Sequence, residues 1–300
     1  MNYEGRVAFI TGGASGAGFG QAQVFGRAGC RIVIADVRQG QLDVSAAALR
    51  AEGVDVLAIQ LDVSDRAAYA RAADEVERMF GEAPSLLFNT AGVNSFGPLE
   101  GATYEDFDWI LGVNLFGVIN GIQTFLPRMI EAGRGGHIVA VASMAGFAGS
   151  PSAAIYAASK AAVINLMESY ALALPEHGIG VSVLCPASIR SNIADAQETR
   201  PANLAGNSGF TSNASFIELQ RKLYAGGMDP IVLAEHLKRA MEDGALYVLP
   251  YPEVKPGIEK HFQTILEAFP GLDSDPDGAL ERARAFAEYQ VESRKILPAR

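Results

Sequence analysis

The sequence predicts a doubly wound α/β fold in three layers, with one parallel seven-stranded sheet between two layers of helices. Short β-branched runs alternate with longer Ala-rich segments of helical periodicity, an order typical of parallel strands joined by helical crossovers. Most of these runs are apolar on both faces, so the sheet needs helices above and below it. With 300 residues, of which 49% are hydrophobic and 19% charged, the chain is long enough for one large domain with an appendage.

The runs give the predicted strands in chain order. They are VAFI (7–10), RIVIA (31–35), VLAIQ (56–60), SLLFN (85–89), GHIVAVA (136–142), GVSVLC (180–185) and LYVL (246–249). We therefore expect one domain over residues 1–250.

Two segments depart from the alternation. Between Pro186 and Pro230 the chain becomes polar and glycine-containing (NLAGNSGFTSN), which predicts a lid at about 190–230. Residues 251–300 form a predicted helical extension, with helices over 257–269 and 277–292. We expect the extension to pack on the domain through an apolar stripe, which consists of Ile258, Phe262, Ile265, Leu266 and Phe269.

Composition narrows the classes of function. The formal net charge is −10 and the basic residues are scattered singly, which argues against nucleic acid and anionic membrane as partners. Cys30 and Cys185 each lie beside a β-branched run, which indicates two small buried thiols rather than a disulfide. We see no signal peptide and no apolar run near the ~20 residues that cross a bilayer, so a cytoplasmic location is expected. We expect no metal, because the histidines show no ligand spacing; they are His137, His177, His236 and His261.

A glycine-rich turn, TGGASGAGFG, spans residues 11–20 between the first strand and a helix that extends to about Ala28. Glycines in this setting let the backbone turn tightly and approach a pyrophosphate, whose charge is stabilised by the free N–H groups of the helix N-terminus. The alternative is a helix cap with tolerant glycines. The glycines concerned are Gly12, Gly16 and Gly18.

Polar residues follow the next three strands. Asp36 ends the second strand 20 residues after Gly16, where a carboxylate accepts both ribose hydroxyls of an adenosine and repels a 2′-phosphate. This favours NAD over NADP, although Arg38 lies two residues later; the alternative for Asp36 is a helix N-cap. Asp62 and Val63 end the third strand, where they suit an adenine ring. The fourth strand ends in NTAG (89–92), whose small residues let a dinucleotide lie close, although ordinary turn chemistry explains both of these strand ends equally well.

The segment SMAGFAGSPSAAIYAASKAA carries the catalytic signal. Tyr156 and Lys160 are four residues apart, so on a helix both side chains leave the same face. Lowering the pKa of a phenol by roughly 2 to 3 requires about 3 to 4 kcal/mol of preferential stabilisation of the phenolate, which a neighbouring ammonium supplies in a desolvated cleft. Ser143, at the end of the fifth strand, is a candidate donor to a substrate oxygen. Taken alone, such a string is more often a surface tyrosine with an exposed lysine, but here it does not stand alone.

Together these motifs resemble the short-chain dehydrogenase/reductase family from Val7 to about Leu249. TGGASGAG matches the family's Thr-Gly-x-x-x-Gly-x-Gly, NTAG its Asn-Asn-Ala-Gly, and Ser143 with YAASK its Ser and Tyr-x-x-x-Lys. GVNLFG contains Asn114, which matches the helix asparagine whose backbone holds a water next to the lysine in that family. PASIRS matches Pro-Gly-x-x-x-Thr. This sequence departs from the pattern at Thr90, Ala187 and Ser191, none of which removes a proton-transfer group.

The resemblance implies a Rossmann-type dehydrogenase that is usually dimeric or tetrameric. It implies that Tyr156 is the general base, that Lys160 stabilises its phenolate and binds the nicotinamide ribose, and that Asn114 and Ser143 complete the catalytic set. The implied NAD-binding residues are Gly12, Ser15, Gly16, Ala17, Gly18, Asp36, Asp62, Val63, Asn89, Ala91, Gly92, Tyr156, Lys160, Pro186, Ile189 and Ser191.

A narrower resemblance rests on NTAGVNSFGP, SNIADAQETRPA and ALYVLPYPEVKPGIEKHFQ. These strings are similar to bacterial Cα-dehydrogenases of lignin β-aryl ether breakdown, which oxidise a benzylic alcohol to a ketone with NAD. Apolar pocket walls suit such a neutral aromatic alcohol. The expected substrate residues are Val93, Asn94, Phe96, Ser143, Met144, Phe147 and Tyr156, with Ile189 and Phe210 beside them. Two alternatives stay open: another hydrophobic secondary alcohol such as a hydroxysteroid, or a dinucleotide-binding regulator without turnover.

Overall fold

Seven parallel strands form one sheet in the order β3-β2-β1-β4-β5-β6-β7. The strands are β1 (Val7–Thr11), β2 (Arg31–Asp36), β3 (Val56–Gln60), β4 (Leu86–Asn89), β5 (Gly136–Val141), β6 (Ile179–Leu184) and β7 (Tyr247–Val248). The strand order reverses between β1 and β4, which pair directly through Ala8 and Leu86. In a doubly wound sheet, this reversal opens a crevice at the carboxyl ends of the strands. The predicted fold class is therefore confirmed.

A computed structural model describes residues 1–206, 208–210, 214–271 and 274–296. Its helices are α1 (Gly16–Arg27), α2 (Gln39–Ala51), α3 (Arg66–Phe80), α4 (Tyr104–Leu111), α5 (Gly117–Ala132), α6 (Ala154–Ala173), α7 (Ala202–Ala205), α8 (Ala214–Ala225), α9 (Pro230–Glu242), α10 (Lys255–Glu267) and α11 (Pro276–Ile296). Short 3₁₀ turns add Leu99–Gly101, Met144–Phe147, Pro175–His177, Ile193–Thr199 and Pro252–Val254.

The core lies on both faces of the sheet because side chains alternate along each strand. On one face the ring of Phe9 in β1 lies 4.6 Å from that of Phe125 in α5. On the other face Phe88 in β4 lies 4.7 Å from Phe25 in α1. All four side chains are fully buried. These contacts fix α1 and α5 against opposite faces and so place the loops that follow β1 and β4 beside each other.

A π-helical turn, Gly112–Phe116, joins α4 to α5 in one continuous helical segment. This segment, Tyr104–Ala132, is the one helix of the described chain that is long and apolar enough to cross a membrane by length and composition. Half of its most apolar stretch is buried inside the protein, as in a core helix. The sequence expectation concerned uninterrupted apolar runs, and polar residues such as Asn114 and Asn120 interrupt this helix, so only its length and average hydropathy reach the membrane-spanning range.

The chain forms two compact units, Met1–Pro252 and a second that begins at Glu253. The second contains α10 and α11, close to the two helices expected there. In the first, the predicted lid contains the 3₁₀ turn Ile193–Thr199 and helices α7 and α8. Part of the NLAGNSGFTSN string, Asn207 and residues 211–213, lies outside the described residues.

Candidate active site

A cavity of about 700 Å³ opens at the crevice between β1 and β4. Its size is typical of a site for a cofactor-sized ligand. The glycine turn after β1, the NTAG segment after β4 and the segment after β6 all line it. Tyr156 and Lys160 of α6 line it as well, and the lid contributes residues from Ile193 to Leu204.

The glycine turn leaves an open cradle at this crevice. Gly12 has a φ of 63°, and a Cβ there would lie 2.9 Å from Ala91 Cα. A Cβ on Gly18 would lie 2.2 Å from the Gly12 carbonyl oxygen. Thr11 Oγ1 accepts hydrogen bonds from Thr90 N at 2.9 Å and Ala91 N at 3.1 Å, which ties the ends of β1 and β4 together. The backbone therefore has the close approach that a dinucleotide diphosphate requires.

The N-terminus of α1 faces the same cradle. In the described structure its N-cap residue, Ser15, makes no side-chain capping hydrogen bond, so the first-turn N–H groups stay available to an anion. The Ser15 hydroxyl instead accepts a hydrogen bond from Arg38 Nη2 at 2.8 Å. The turn thus has the geometry of an anion site and not of a side-chain-capped helix start.

Asp36 is buried at the end of β2 and is held by Arg38. The Arg38 guanidinium donates to both carboxylate oxygens, each at 3.0 Å, and the Arg38 backbone N–H donates to Oδ1 at 3.1 Å. The hydrogen bond to Asp36 is the largest cause of the raised pKa of Arg38. Asp36 does not cap α2, whose N-cap position is Arg38. The carboxylate is therefore presented to the cavity with a fixed orientation.

The side chains with catalytic chemistry meet just after β5, where Tyr156 and Lys160 line the cavity and Ser143 contacts Tyr156. Lys160 Nζ donates to the Val141 carbonyl at 2.8 Å and lies 5.5 Å from the centre of the Tyr156 ring. Ser143 Oγ donates to the Pro186 carbonyl at 3.3 Å and is also hydrogen-bonded to Tyr156. Helix α6 thus presents Tyr156 and Lys160 on one face, as the i, i+4 spacing predicts.

Asn114 lies in the π-helical turn and fixes the loop after β4. Its Oδ1 accepts from Val93 N at 2.8 Å, and its Nδ2 donates to Val93 O at 3.0 Å and to Ser159 Oγ at 3.1 Å. A Cβ on Gly92 would lie 3.4 Å from both Asn114 Oδ1 and Lys160 Nζ, so the asparagine and the lysine face the same glycine. π-Turns of this kind occur frequently at functional sites.

The expected lowering of the Tyr156 pKa is wrong for this structure. Burial raises the pKa of Tyr156 to about 12, against an opposing effect of the hydrogen bond with Ser143, and the neighbouring Tyr224 and Cys185 raise it further. Burial lowers the pKa of Lys160 to about 8. The reason is geometric: the ammonium is directed at the Val141 carbonyl, and desolvation disfavours both charged forms.

Most of the residues expected to bind a dinucleotide line the cavity. They are Gly12, Ser15, Gly16, Ala17, Gly18, Asp36, Asp62, Val63, Ala91, Gly92, Tyr156, Lys160, Pro186, Ile189 and Ser191. Asn89 is not among the described lining residues. Its Nδ2 donates to the Val139 carbonyl at 3.4 Å, and a Cβ on Gly121 of α5 would lie 2.3 Å from its Oδ1. As a strand residue Asn89 points to the helix layer and not to the carboxyl edge of the sheet.

The expected substrate residues divide into two groups. Val93 and Tyr156 line the cavity, whereas the described lining does not include Asn94, Phe96, Ser143, Met144 or Phe147. The lid packs around Phe96, one member of the second group. The Phe210 ring covers Gly97, and the Phe216 ring lies 5.8 Å from that of Phe96.

Several residues of this region were not predicted from the sequence. Trp109 and Ile110 of α4 pack with Val93, Ile155, Ala196 and Phe210 in a small apolar cluster beneath the lid. Arg200 and Asp106 form a buried ion pair beside it. Among the residues described, no group of three or more His, Cys, Asp and Glu side chains is placed to hold a metal ion.

This chain is similar to known proteins over most of its length. The family model described as short chain dehydrogenase matches residues 6–202. The C alpha-dehydrogenase of Sphingobium sp. (strain NBRC 103272 / SYK-6) is 57% identical over 288 residues, which cover 96% of this chain and 94% of that protein.

Two solved structures are similar over most of their length. The apo form of LigD from Sphingobium sp. strain SYK-6 has a TM-score of 0.76 and 52% identity, and the match covers 90% of this chain and 99% of that one. A short chain dehydrogenase/reductase from Burkholderia phymatum in complex with NAD has a TM-score of 0.84 and 34% identity, over 90% of this chain and 98% of that one.

Proposed function

The chain belongs to the short chain dehydrogenase family, and from this premise we propose that it oxidises the benzylic secondary alcohol of lignin-derived arylglycerol-β-aryl ethers to the ketone, with NAD. The observation that carries the reaction type is that Tyr156 and Lys160 line the same cavity as the glycine turn, with Ser143 hydrogen-bonded to Tyr156. The 57% identity to a C alpha-dehydrogenase over nearly the whole chain supports the substrate class.

The residues present fit a nicotinamide dinucleotide. The glycine cradle and the first-turn N–H groups of α1 would hold the diphosphate, and Asp36 would accept from the adenosine ribose. Lys160, Ile189 and Ser191 would hold the nicotinamide end. When bound, the dinucleotide supplies the hydride acceptor.

The protein's own part in the reaction is to orient the alcohol and to take its proton. The Tyr156 phenol first releases its own proton towards solvent along the lysine side of the site. Ser143 Oγ then donates to the carbinol oxygen, and the Tyr156 phenolate receives the carbinol proton. Because the pKa of Tyr156 is about 12 in the structure described, an added charge near the phenol must favour its ionised form before proton transfer. Lys160 provides that charge if its ammonium turns from the Val141 carbonyl towards the phenol, and Asn114 holds the lysine side of the site.

The lid at about 190–230 is proposed to close over the alcohol. Phe96 packs against Phe216 of the lid, and Phe210 of the lid packs with Val93. In this proposal Asn94, Met144 and Phe147 complete the wall opposite the lid. Apolar and aromatic side chains on both sides suit an aryl ether better than a phosphorylated or acidic substrate.

A substrate panel tests the proposal. Purified protein is mixed with NAD or NADP and an arylglycerol-β-aryl ether, and formation of the reduced cofactor is followed by its absorbance; a hydroxysteroid is the second substrate. We expect turnover of the aryl ether with NAD, and loss of turnover by orders of magnitude in Tyr156→Phe with NADH binding kept. Turnover of the steroid alone contradicts the substrate class, and full activity of Tyr156→Phe contradicts the assigned base.

We further propose that the protein works in the cytoplasm as a homodimer or homotetramer. Cys30 and Cys185 are free and buried in the structure described, which fits a reducing compartment. Tyr104, Phe107 and Phe116 expose large side chains along one helical segment, and such a patch commonly marks a contact between subunits. Light scattering after size-exclusion chromatography tests the assembly, and a monomer at all concentrations contradicts it.

A further inference from the structure

A buried ion pair joins the lid to α4. Arg200 Nη1 donates to Asp106 Oδ1 at 2.6 Å, and the two side chains are 1% and 0% exposed. Removing two charges from water is costly, and a buried pair of this kind is weak evidence for stability by itself. Its place at the cavity therefore calls for a functional reason.

The guanidinium of Arg200 is fixed in orientation. Its Nε donates to the Leu204 carbonyl at 2.9 Å, and its Cζ lies 5.1 Å from the centre of the Trp109 ring. These contacts and the ion pair engage Nε and Nη1. Nη2 is buried and has no hydrogen-bond partner among the residues that the structure describes. A buried donor without a partner is costly, so a native site that keeps one commonly has a ligand for it.

The carboxylate of Asp106 accepts its full set of hydrogen bonds without Nη2 of Arg200. Besides Arg200, it accepts from Thr103 N at 3.0 Å, from Ser208 Oγ at 2.7 Å and from Gly209 N at 3.0 Å. Burial by itself raises the pKa of Asp106, but these hydrogen bonds lower it to about 2. The carboxylate therefore stays charged at all working pH values and holds two stretches of the lid, at Arg200 and at Ser208 to Gly209.

Arg200 lies on the wall of the same cavity as the glycine turn. Trp109 and Leu204, which fix its guanidinium, line this cavity too. Five carboxylates also line it, namely Asp36, Asp62, Asp108, Asp195 and Glu198. A dinucleotide adds two negative charges there. Of the basic side chains on the wall, Arg38 is already bound to Asp36, and Lys160 lies at the catalytic end.

We propose that Arg200 is a further dinucleotide-binding residue, contributed by the lid, whose Nη2 donates to an oxygen of the ribose-diphosphate portion, and that Asp106 is its positioning residue. This inference rests on the proposed use of NAD. It gives the lid a contact with the cofactor as well as with the alcohol, so that cofactor binding and lid closure support each other.

The chain provides its own probe, because Trp109 is its single tryptophan and stacks on Arg200. Quenching of Trp109 emission gives dissociation constants for NADH and for ADP-ribose, which lacks the nicotinamide. We expect Arg200→Met to weaken both ligands by about tenfold or more, the usual loss for a charge-assisted hydrogen bond. Arg221→Met is the matched control: it removes a lid ion pair, with Asp195, from an arginine that is 51% exposed, and we expect wild-type affinity.

The variant Arg200→Lys distinguishes a cofactor-binding role of Arg200 from a purely structural role. Lysine keeps the charge opposite Asp106 but lacks a second nitrogen, so lid closure, read as resistance to limited proteolysis, stays at the wild-type level while both ligands bind more weakly. Wild-type affinity for NADH and ADP-ribose in Arg200→Lys or Arg200→Met overturns the inference, as does a loss confined to the alcohol KM. Failure of the wild-type protein to bind NADH contradicts instead the proposed use of NAD.

Discussion

His137 gives the protein a predicted loss of stability in mild acid. It is 2% exposed in β5, and burial lowers its pKa from 6.5 to about 4. Ser182 Oγ donates its hydrogen to the Ala245 carbonyl at 2.7 Å, so at 2.9 Å from His137 Nε2 it must accept, and Nε2 carries the ring proton. A Cβ on Gly180 would lie 2.5 Å from Nδ1, so this side of the ring packs directly against the backbone of β6.

The direction and the size of this stability loss follow from the linkage between proton binding and folding. Because the folded pKa lies below the unfolded one, this stabilisation is complete above pH 6.5 and is lost as the pH falls towards 4. The interval from 6.5 to about 4, at about 1.4 kcal/mol per pH unit, makes the loss about 2 kcal/mol at pH 5 and about 3 kcal/mol at pH 4. The strands concerned lead to Ser143 and Pro186, so the histidine lies in the part of the sheet that carries the catalytic residues.

His137→Gln tests this account, because glutamine keeps a donor for Ser182 and does not titrate. Urea unfolding followed by circular dichroism is compared at pH 7.5 and pH 5 for both proteins. Carboxylates lose the same stability in each, so we expect the wild type to lose about 2 kcal/mol more than the variant. Equal losses in the two proteins would refute the reasoning, because the histidine would then titrate alike in the folded and unfolded chains.

Three further predictions concern the cavity. Gly18→Ala places a Cβ 2.2 Å from a backbone oxygen and should weaken NADH binding at least about tenfold in a fluorescence titration, whereas Gly40→Ala, with nothing described within 4 Å, should not. Asp36→Ser should lower the ratio of kcat/KM for NAD over NADP by about 100-fold, since a 2′-phosphate then meets no carboxylate; an unchanged ratio rules this out. Asp106→Asn should make the lid more sensitive to limited proteolysis and weaken NADH binding, because a neutral amide loses the ion pair with Arg200; wild-type protection and affinity in this variant would contradict the role given to Asp106.

The sheet and the catalytic face were predictable because both depend on local sequence patterns. Apolar runs of strand length alternate with segments of helical periodicity. This alternation predicts a parallel sheet without knowledge of the tertiary contacts. The spacing of Tyr156 and Lys160 fixes their common face in the same local way. By contrast, the motif position of Asn89 does not say which layer its side chain faces, and in the structure that side chain lies against Gly121 of α5.

The pKa values and the lid contacts depend on distant parts of the chain. The direction of the Lys160 ammonium depends on where β5 presents the Val141 carbonyl, which the helix sequence does not record. Asp106, the partner of Arg200, lies 94 residues earlier in the chain. The sequence alone explains Asp106 as the third helical residue of a capping box with Thr103. The one feature of the local sequence that pointed to a further partner was Asp106 itself, because its carboxylate can accept more hydrogen bonds than the capping box uses.

The capping role and the lid role of Asp106 reinforce each other. Its Oδ2 accepts from Thr103 N and Gly209 N, while Oδ1 accepts from Arg200 and Ser208. The start of α4 and the lid therefore share one carboxylate. Apolar packing of Phe210 on Trp109 alone would allow the lid to slide, because the hydrophobic effect is not directional. The ion pair adds direction, since leaving either charge buried alone is costly, and it therefore favours one register of the lid over the cavity.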